Sequence, residues 1–313
     1  MNPAIVTSSL SRRFGRTFAL DSVDLSISEG AIYALVGANG AGKTTLIKLL
    51  MNIIRPTSGR ADVLGADSIT LGGRAFTSIG YVSENQEMPG WMTVGGLLDY
   101  CRAFYPKWDR ALEQQLVRQF DLPLKRNLNN LSRGMRMKAA FASSLSYHPA
   151  LIVLDEPFSG LDPLVRDELI EGLIERATEA TIFLSSHDLA EIESFSSHVG
   201  FLEQGHLLFS EEMSRLTERF RAVTVTLNQT SPLPGNLPSS WLQPEAADHM
   251  VRFVHSNYSE QAAVTEIEAV FPSPRDIALD PMTLRSIFLA VAKSSRKSAC
   301  FAPQKNNARG IEA

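Results

Sequence analysis

Between residues 32 and 210 the chain alternates short apolar runs with stretches whose apolar residues recur at helical spacing. Ile32–Val36 is an apolar run that ends in a Gly-rich turn and predicts a strand. A helix follows, with Leu46, Ile47, Leu49, Leu50, Ile53 and Ile54 on its apolar positions and Pro56 and Gly59 as its stop. Ile79–Val82 predicts another short strand. Helical patterns follow at 94–105 and 109–120, parted by Pro106, and at about 133–146, 163–177 and 188–195. Leu151–Leu154 and Ile182–Leu184 are apolar without alternation, as strands covered on both faces must be. Phe201–Phe209 reads as a hairpin turning at Glu203-Gln204-Gly205. Residues 1–212 therefore predict an α/β domain with a mainly parallel sheet.

The pattern changes after about residue 210. Ala222–Leu227 and Met250–Val254 alternate apolar and polar residues, as half-exposed strands do, around a Pro-rich loop, Ser231–Pro244. Helices at about 259–270 and 282–293 complete a small α+β accessory domain, residues 213–293. The tail, residues 294–313, follows Lys293 with Arg296, Lys297, Lys305 and Arg309 and reads as polar, basic and disordered.

Composition narrows the class of partner. A formal net charge of −4 gives no reason to expect a nucleic-acid-wrapping surface. Cys101 and Cys300 show no metal spacing and read as reduced thiols. No signal-peptide pattern opens the chain, and no apolar stretch reaches the roughly 20 residues of a bilayer-spanning helix. If the protein serves a membrane, another chain must supply the channel.

The strongest chemical signal is Gly37-Ala38-Asn39-Gly40-Ala41-Gly42-Lys43-Thr44, the GxxxxGK[ST] pattern, between a predicted strand and a predicted helix. Glycines allow backbone N–H groups to wrap phosphate oxygens where a Cβ would block the approach. The positive end of the helix dipole faces the bound anion. Lys43 is expected at the β- and γ-phosphates and the Thr44 hydroxyl on Mg²⁺. Residues 37–44 and the following Thr45 are the candidate nucleotide-binding residues. A guanine-reading Asn-Lys-x-Asp is absent. The second signal is Leu151-Ile-Val-Leu154-Asp155-Glu156-Pro157, a buried strand ending in two acids at the edge where open α/β sheets bind ligands. Asp155 is placed to hold the magnesium and Glu156 to polarise an attacking water.

With both motifs placed, residues 3–210 resemble an ABC-family nucleotide-binding domain, a phosphate-loop NTPase with a mainly parallel sheet, an antiparallel edge and a helical subdomain at about 86–148. Leu131-Ser132-Arg133-Gly134-Met135 resembles the family signature Leu-Ser-Gly-Gly-Gln. A Ser and a Gly at a helix start form an anion site, a plain Ser N-cap being the lesser reading. The resemblance implies a head-to-tail dimer in which Ser132 and Gly134 close over the ATP held by a second subunit, a homodimer being the expected form. It implies that Ser159 and Asp162, in Ser159-Gly160-Leu161-Asp162, lie in the loop through which the two sites communicate. It also implies that His187 contacts the γ-phosphate and that Phe14 stacks on adenine. Composition alone reads His187 as a surface residue and Phe14 as core.

Three positions depart from the family pattern. Glu84 stands where glutamine is usual after Ile79–Val82 and is a candidate Mg²⁺ ligand, with Gln86 the competing assignment. Arg133 and Met135 replace a glycine and a glutamine of the signature, and both changes resemble the branch of bacitracin-type and multidrug exporters. Met88–Val94 matches the region that in the family accepts a coupling helix of a membrane permease. Trp91 and Met92 suit such a groove, or they pack onto the helix capped by Thr93. The implied function is an ATP-hydrolysing subunit on the cytoplasmic face of the membrane, powering an integral membrane permease, with export favoured. The alternative is a soluble ABC-type ATPase of DNA repair or translation. Against it, the chain has no coiled-coil insertion between its nucleotide motifs and only one ATPase head.

Overall fold

A computed structural model describes residues 3–301. The chain divides into two units, the first ending at Met213 and the second starting at Ser214. The strands of the first unit are β1 (Pro3–Phe14), β2 (Thr17–Ser28), β3 (Ile32–Val36), β4 (Ser58–Val63), β5 (Ala66–Asp67), β6 (Ile79–Ser83), β7 (Leu151–Asp155), β8 (Thr181–Ser186), β9 (His198–Glu203) and β10 (His206–Glu212). Its helices are α1 (Lys43–Leu50), α2 (Gly73–Phe76), α3 (Val94–Arg102), α4 (Arg110–Gln119), α5 (Arg133–Leu145), α6 (Pro163–Ile174) and α7 (Leu189–Glu193).

Every residue of β7 and β8 is buried, so both strands need neighbours in the sheet and cover on its faces. They lie inside a six-stranded sheet of order β10-β9-β3-β8-β7-β6, parallel except at the β10 edge. β9 and β10 form the predicted hairpin, with Gln204 and Gly205 both at positive φ, the torsions a two-residue hairpin turn requires. α1 follows β3, and its Leu46, Ile47, Leu49 and Leu50 share one core with Leu35, Val153 and Phe183 of the sheet. That core also takes in Ile5, Leu10, Leu25 and Val63 from a second, antiparallel sheet of order β2-β1-β4-β5.

Two sequence expectations in this unit need correction. The second sheet was not predicted, because bulges interrupt its alternation. The β1–β2 register shifts four times, with Ser9 and Ser22 at positive φ. Helix α1 stops at Leu50, well before Pro56 and Gly59. Asn52 takes the left-handed conformation (φ +54°) just past the last turn, and the Ile53 and Ile54 N–H groups fold back onto the Lys48 carbonyl.

Helix α8 (Met213–Arg219) spans the boundary between the units. The second unit is an antiparallel sheet of β11 (Arg221–Thr226), β12 (Trp241–Ala247), β13 (Met250–His255) and β14 (Asp276–Pro281), in the order β12-β13-β11-β14. Helices α9 (Glu260–Val270) and α10 (Leu284–Phe301) accompany it. Its core stacks Trp241 on Phe253, ring centroids 3.8 Å apart, beside Val223, Val251, Ile267 and Phe271. The supposed loop Ser231–Pro244 contains the start of β12. An edge strand tolerates Pro244, and a bulge at Gln243 (φ +50°) hides the alternation. The other edge strand, β14, was not anticipated. α10 continues to Phe301, so the stretch 294–301 is helical where the sequence predicts a disordered tail. It contains neither Gly nor Pro, and Lys, Arg and Ala favour helix. The remainder of the basic tail, 302–313, lies outside the described residues.

Candidate active site

The phosphate loop joins the end of β3 to the start of α1. Gly42 has φ +113°, and a Cβ there would stand 2.5 Å from the Ala19 carbonyl oxygen; at Gly37 it would stand 2.3 Å from that of Leu202. Both glycines are required, the first by torsion and contact, the second by contact alone. Because Gly42 is its cap, α1 has no side-chain cap, and its N-terminal N–H groups and positive dipole end face the loop.

Lys43 is almost fully buried. Its ammonium donates to the carbonyls of Gly37 (2.7 Å) and Ala38 (3.3 Å) and pairs with Glu156 Oε1 at 3.0 Å. The Thr44 hydroxyl donates to Asp155 Oδ1 at 3.1 Å. Asp155 is the last residue of β7, and Glu156 follows it at φ +51°, a left-handed conformation that non-glycine residues rarely adopt. That corner turns the Glu156 carboxylate so that one oxygen meets Lys43 and the other lies 2.7 Å from His187 Nδ1. His187 comes from the loop after β8. A cavity of about 360 Å³ is lined by Ala19, Asn39, Gly40, Ala41, Gly42, Lys43, Thr44, Thr45, Glu84 and Glu156. A second, of about 410 Å³, shares Thr44, Glu84 and Glu156 and adds Lys48, Tyr81, Asp155 and the loop after β6.

Thus Lys43, Thr44, Asp155, Glu156 and His187 come together from two strand ends and one helix start. Sequence reasoning missed Ser185, which donates to Asp155 Oδ1 (2.7 Å) and accepts from the Glu156 N–H (3.0 Å). The apolar run Ile182–Leu184 does close on a serine pair, but nothing local says that one of them reaches Asp155. Phe14 ends β1, half exposed, with the Arg12 guanidinium 4.5 Å from its ring centroid. It is no core residue.

Glu84 lines both cavities, whereas Gln86 lines only the second of them, its amide oxygen accepting from the Ser83 N–H at 3.4 Å. The Glu84 carboxylate is engaged by the Arg133 guanidinium and by the Ser159 hydroxyl (3.1 Å). Two of the departures from the family pattern, Glu84 and Arg133, therefore pair with each other. Ser132 caps α5 by accepting from the Met135 N–H at 3.2 Å, and Gly134 packs on Val165 of α6. Neither lines the two cavities. Asp162 caps α6 by accepting from the Val165 N–H at 3.1 Å.

Beside the site, a groove of about 620 Å³ is lined by Glu87, Met88, Gly90, Leu128, Arg136 and Met137, among others. Near it Trp91 is 75% exposed, so it does not fold onto α3, which Thr93 caps by accepting from the Gly96 N–H. No helix among the described residues is long and apolar enough to cross a membrane.

Residues 20–159 match the family model described as ABC transporter. Among similar proteins, an uncharacterised ABC transporter ATP-binding protein of Nostoc is 34% identical over 68% of this chain and 68% of its own length. The bacitracin transport ATP-binding protein BcrA of Bacillus licheniformis is 32% identical over 71% of this chain and 74% of its own length. YtrB of Bacillus subtilis, an ABC transporter ATP-binding protein, is 30% identical over 67% and 73%. A solved ATP-binding subunit of an ABC transporter superposes with a TM-score of 0.63 at 26% identity, covering 69% of this chain and 92% of that one. A dimeric ATP-binding cassette in a post-hydrolysis state with ADP and Pi superposes at 0.60 and 20% identity, over 67% and 98%, a likeness of fold. These relatives weigh for transport over a soluble repair or translation ATPase. The chain belongs to the ABC transporter family, as one of its ATP-binding, ATP-hydrolysing subunits.

Proposed function

We propose that this chain is the motor of an exporter, bound at the cytoplasmic face of a membrane to an integral permease and acting as a dimer of two copies. The observation that carries the reading is the Glu156 carboxylate, held between the buried Lys43 ammonium and the His187 imidazole beside the phosphate loop. In this reading residues 37–45 bind the triphosphate and Phe14 stacks on adenine. Glu156 orients and polarises the attacking water, and His187 contacts the γ-phosphate. Ser132 and Gly134 serve the partner's ATP, which accords with their absence from the cavities of their own chain. Ser159 and Asp162, in the turn that follows Glu156 and leads into α6, serve communication between the two ATP sites.

Thr44 and Asp155 offer two hard oxygen ligands 3.1 Å apart. Among the described residues no group of three or more His, Cys, Asp or Glu could hold a metal. That donor set suits Mg²⁺, which takes one or two protein oxygens and completes its shell with phosphates and water. Magnesium would neutralise charge developing on the phosphates. Glu84 is a third candidate ligand, once its carboxylate leaves Arg133. The groove beside the exposed Trp91 fits a permease segment, since aromatic residues and Met are enriched at interfaces. The likeness to the bacitracin transport protein supports the export reading.

Substituting Gln for Glu156 should leave ATP binding intact and trap an ATP-bound dimer, measured by light scattering with ATP and magnesium. A variant that hydrolyses ATP like wild type, or stays monomeric, ends the motor reading. Purification in mild detergent should bring down a polytopic membrane protein lacking its own ATPase domain.

A further inference from the structure

We infer that Ser185 is a positioning residue for ATP hydrolysis, a single buried hydroxyl that orients both acids of the site at once. This rests on the roles assigned above to Asp155 and Glu156. Ser185 has no solvent exposure and sits directly opposite Asp155 in the parallel register of β7 and β8. Its hydroxyl donates to Asp155 Oδ1 at 2.7 Å and accepts from the Glu156 N–H at 3.0 Å. A hydroxyl has one proton to give, and here it goes to the carboxylate while a lone pair takes the amide.

Each bond fixes something the chemistry needs. The Thr44 hydroxyl converges on the same Asp155 oxygen, so two donors set the rotation of that carboxylate. The amide that Ser185 holds belongs to a residue at φ +51°, which an L-residue keeps only when its surroundings enforce it. Without that anchor the chain after β7 is free to relax toward ordinary torsions, carrying the Glu156 carboxylate away from Lys43 and His187. The same strand end also delivers His187, two residues later, so β8 supplies both the anchor and the imidazole.

The plainer alternative is that Ser185 merely satisfies two buried polar groups. The two roles differ in what they move. A structural serine affects melting temperature, whereas a positioning serine affects turnover more than substrate affinity. The full-length chain is assayed for steady-state Mg²⁺-ATP hydrolysis as wild type, Ser185→Ala, Ser185→Cys, Ser185→Thr and Glu156→Gln, each with a thermal melt. Loss of hydrogen bonds to charged or buried partners predicts that Ser185→Ala lowers kcat about 10- to 100-fold while KM for ATP stays within about 3-fold. Ser185→Cys, close in volume but a weak donor, should resemble Ser185→Ala, and Ser185→Thr should recover most of kcat. If Ser185→Ala fails to fold, the cysteine variant decides. Cysteine or alanine variants within about 2-fold of wild-type kcat, beside an inactive Glu156→Gln, overturn the inference and leave the hydrolytic roles standing. A Glu156→Gln variant that turns over normally removes both.

Discussion

At the phosphate end of the site, Lys43, Asp155 and Glu156 each have two or more polar partners and little solvent exposure. At the proposed base end, Phe14 stands half exposed at the tip of a bulged strand pair, with one guanidinium beside its ring. The contrast follows from what each end has to do. Charge develops during phosphoryl transfer, and groups that stabilise it must be aimed beforehand in a water-poor setting. A stacking platform needs only a flat apolar face near the base, a requirement met in many orientations.

This comparison can be broken by mutation. The largest effect is expected for Glu156→Gln, with phosphate release falling at least about 100-fold, as for loss of a general base. Lys43→Ala should come next, weakening ATP binding about 10- to 100-fold in a nucleotide titration, since the variant loses a charged donor and leaves Glu156 without its cation. Phe14→Ala should weaken binding only about 3- to 10-fold, the worth of an aromatic stack, with kcat unchanged. If Phe14→Ala depresses kcat as severely as Glu156→Gln, the two ends are not built differently and the comparison fails. The smallest effect should come from the Glu84–Arg133 pair, whose arginine is 43% exposed. A double-mutant cycle of Glu84→Gln with Arg133→Gly, read by urea unfolding, should give a coupling below about 1 kcal/mol.

The phosphate end was also the legible end. Its loop residues, 37–45, are consecutive, because a loop that wraps an anion with backbone N–H groups is a local device with a local spacing. Asp155 and Glu156 were readable because a strand buried on both faces ends in charge. Ser185 was not, since its importance lies in its register opposite Asp155, a pairing across 30 positions that no local pattern encodes. The Glu84–Arg133 contact was hidden for the same reason, although both residues had been singled out separately. Among the strands that escaped reading, β1 and β2 have their alternation disturbed by bulges, and β12 is an edge strand carrying Pro244. The end of α1 was misplaced because a left-handed Asn52 stops the helix before the more conspicuous Pro56.

The left-handed corner at Glu156 has a consequence for anyone improving this protein. An L-residue held there carries roughly 1 kcal/mol of backbone strain, which glycine would shed and asparagine would reduce. Either change would also strip the buried Lys43 ammonium of its carboxylate, a loss larger than the strain relieved. A campaign that scored heat resistance alone should therefore keep Glu at position 156, because the buried cation holds in place a residue that its own backbone would rather shed.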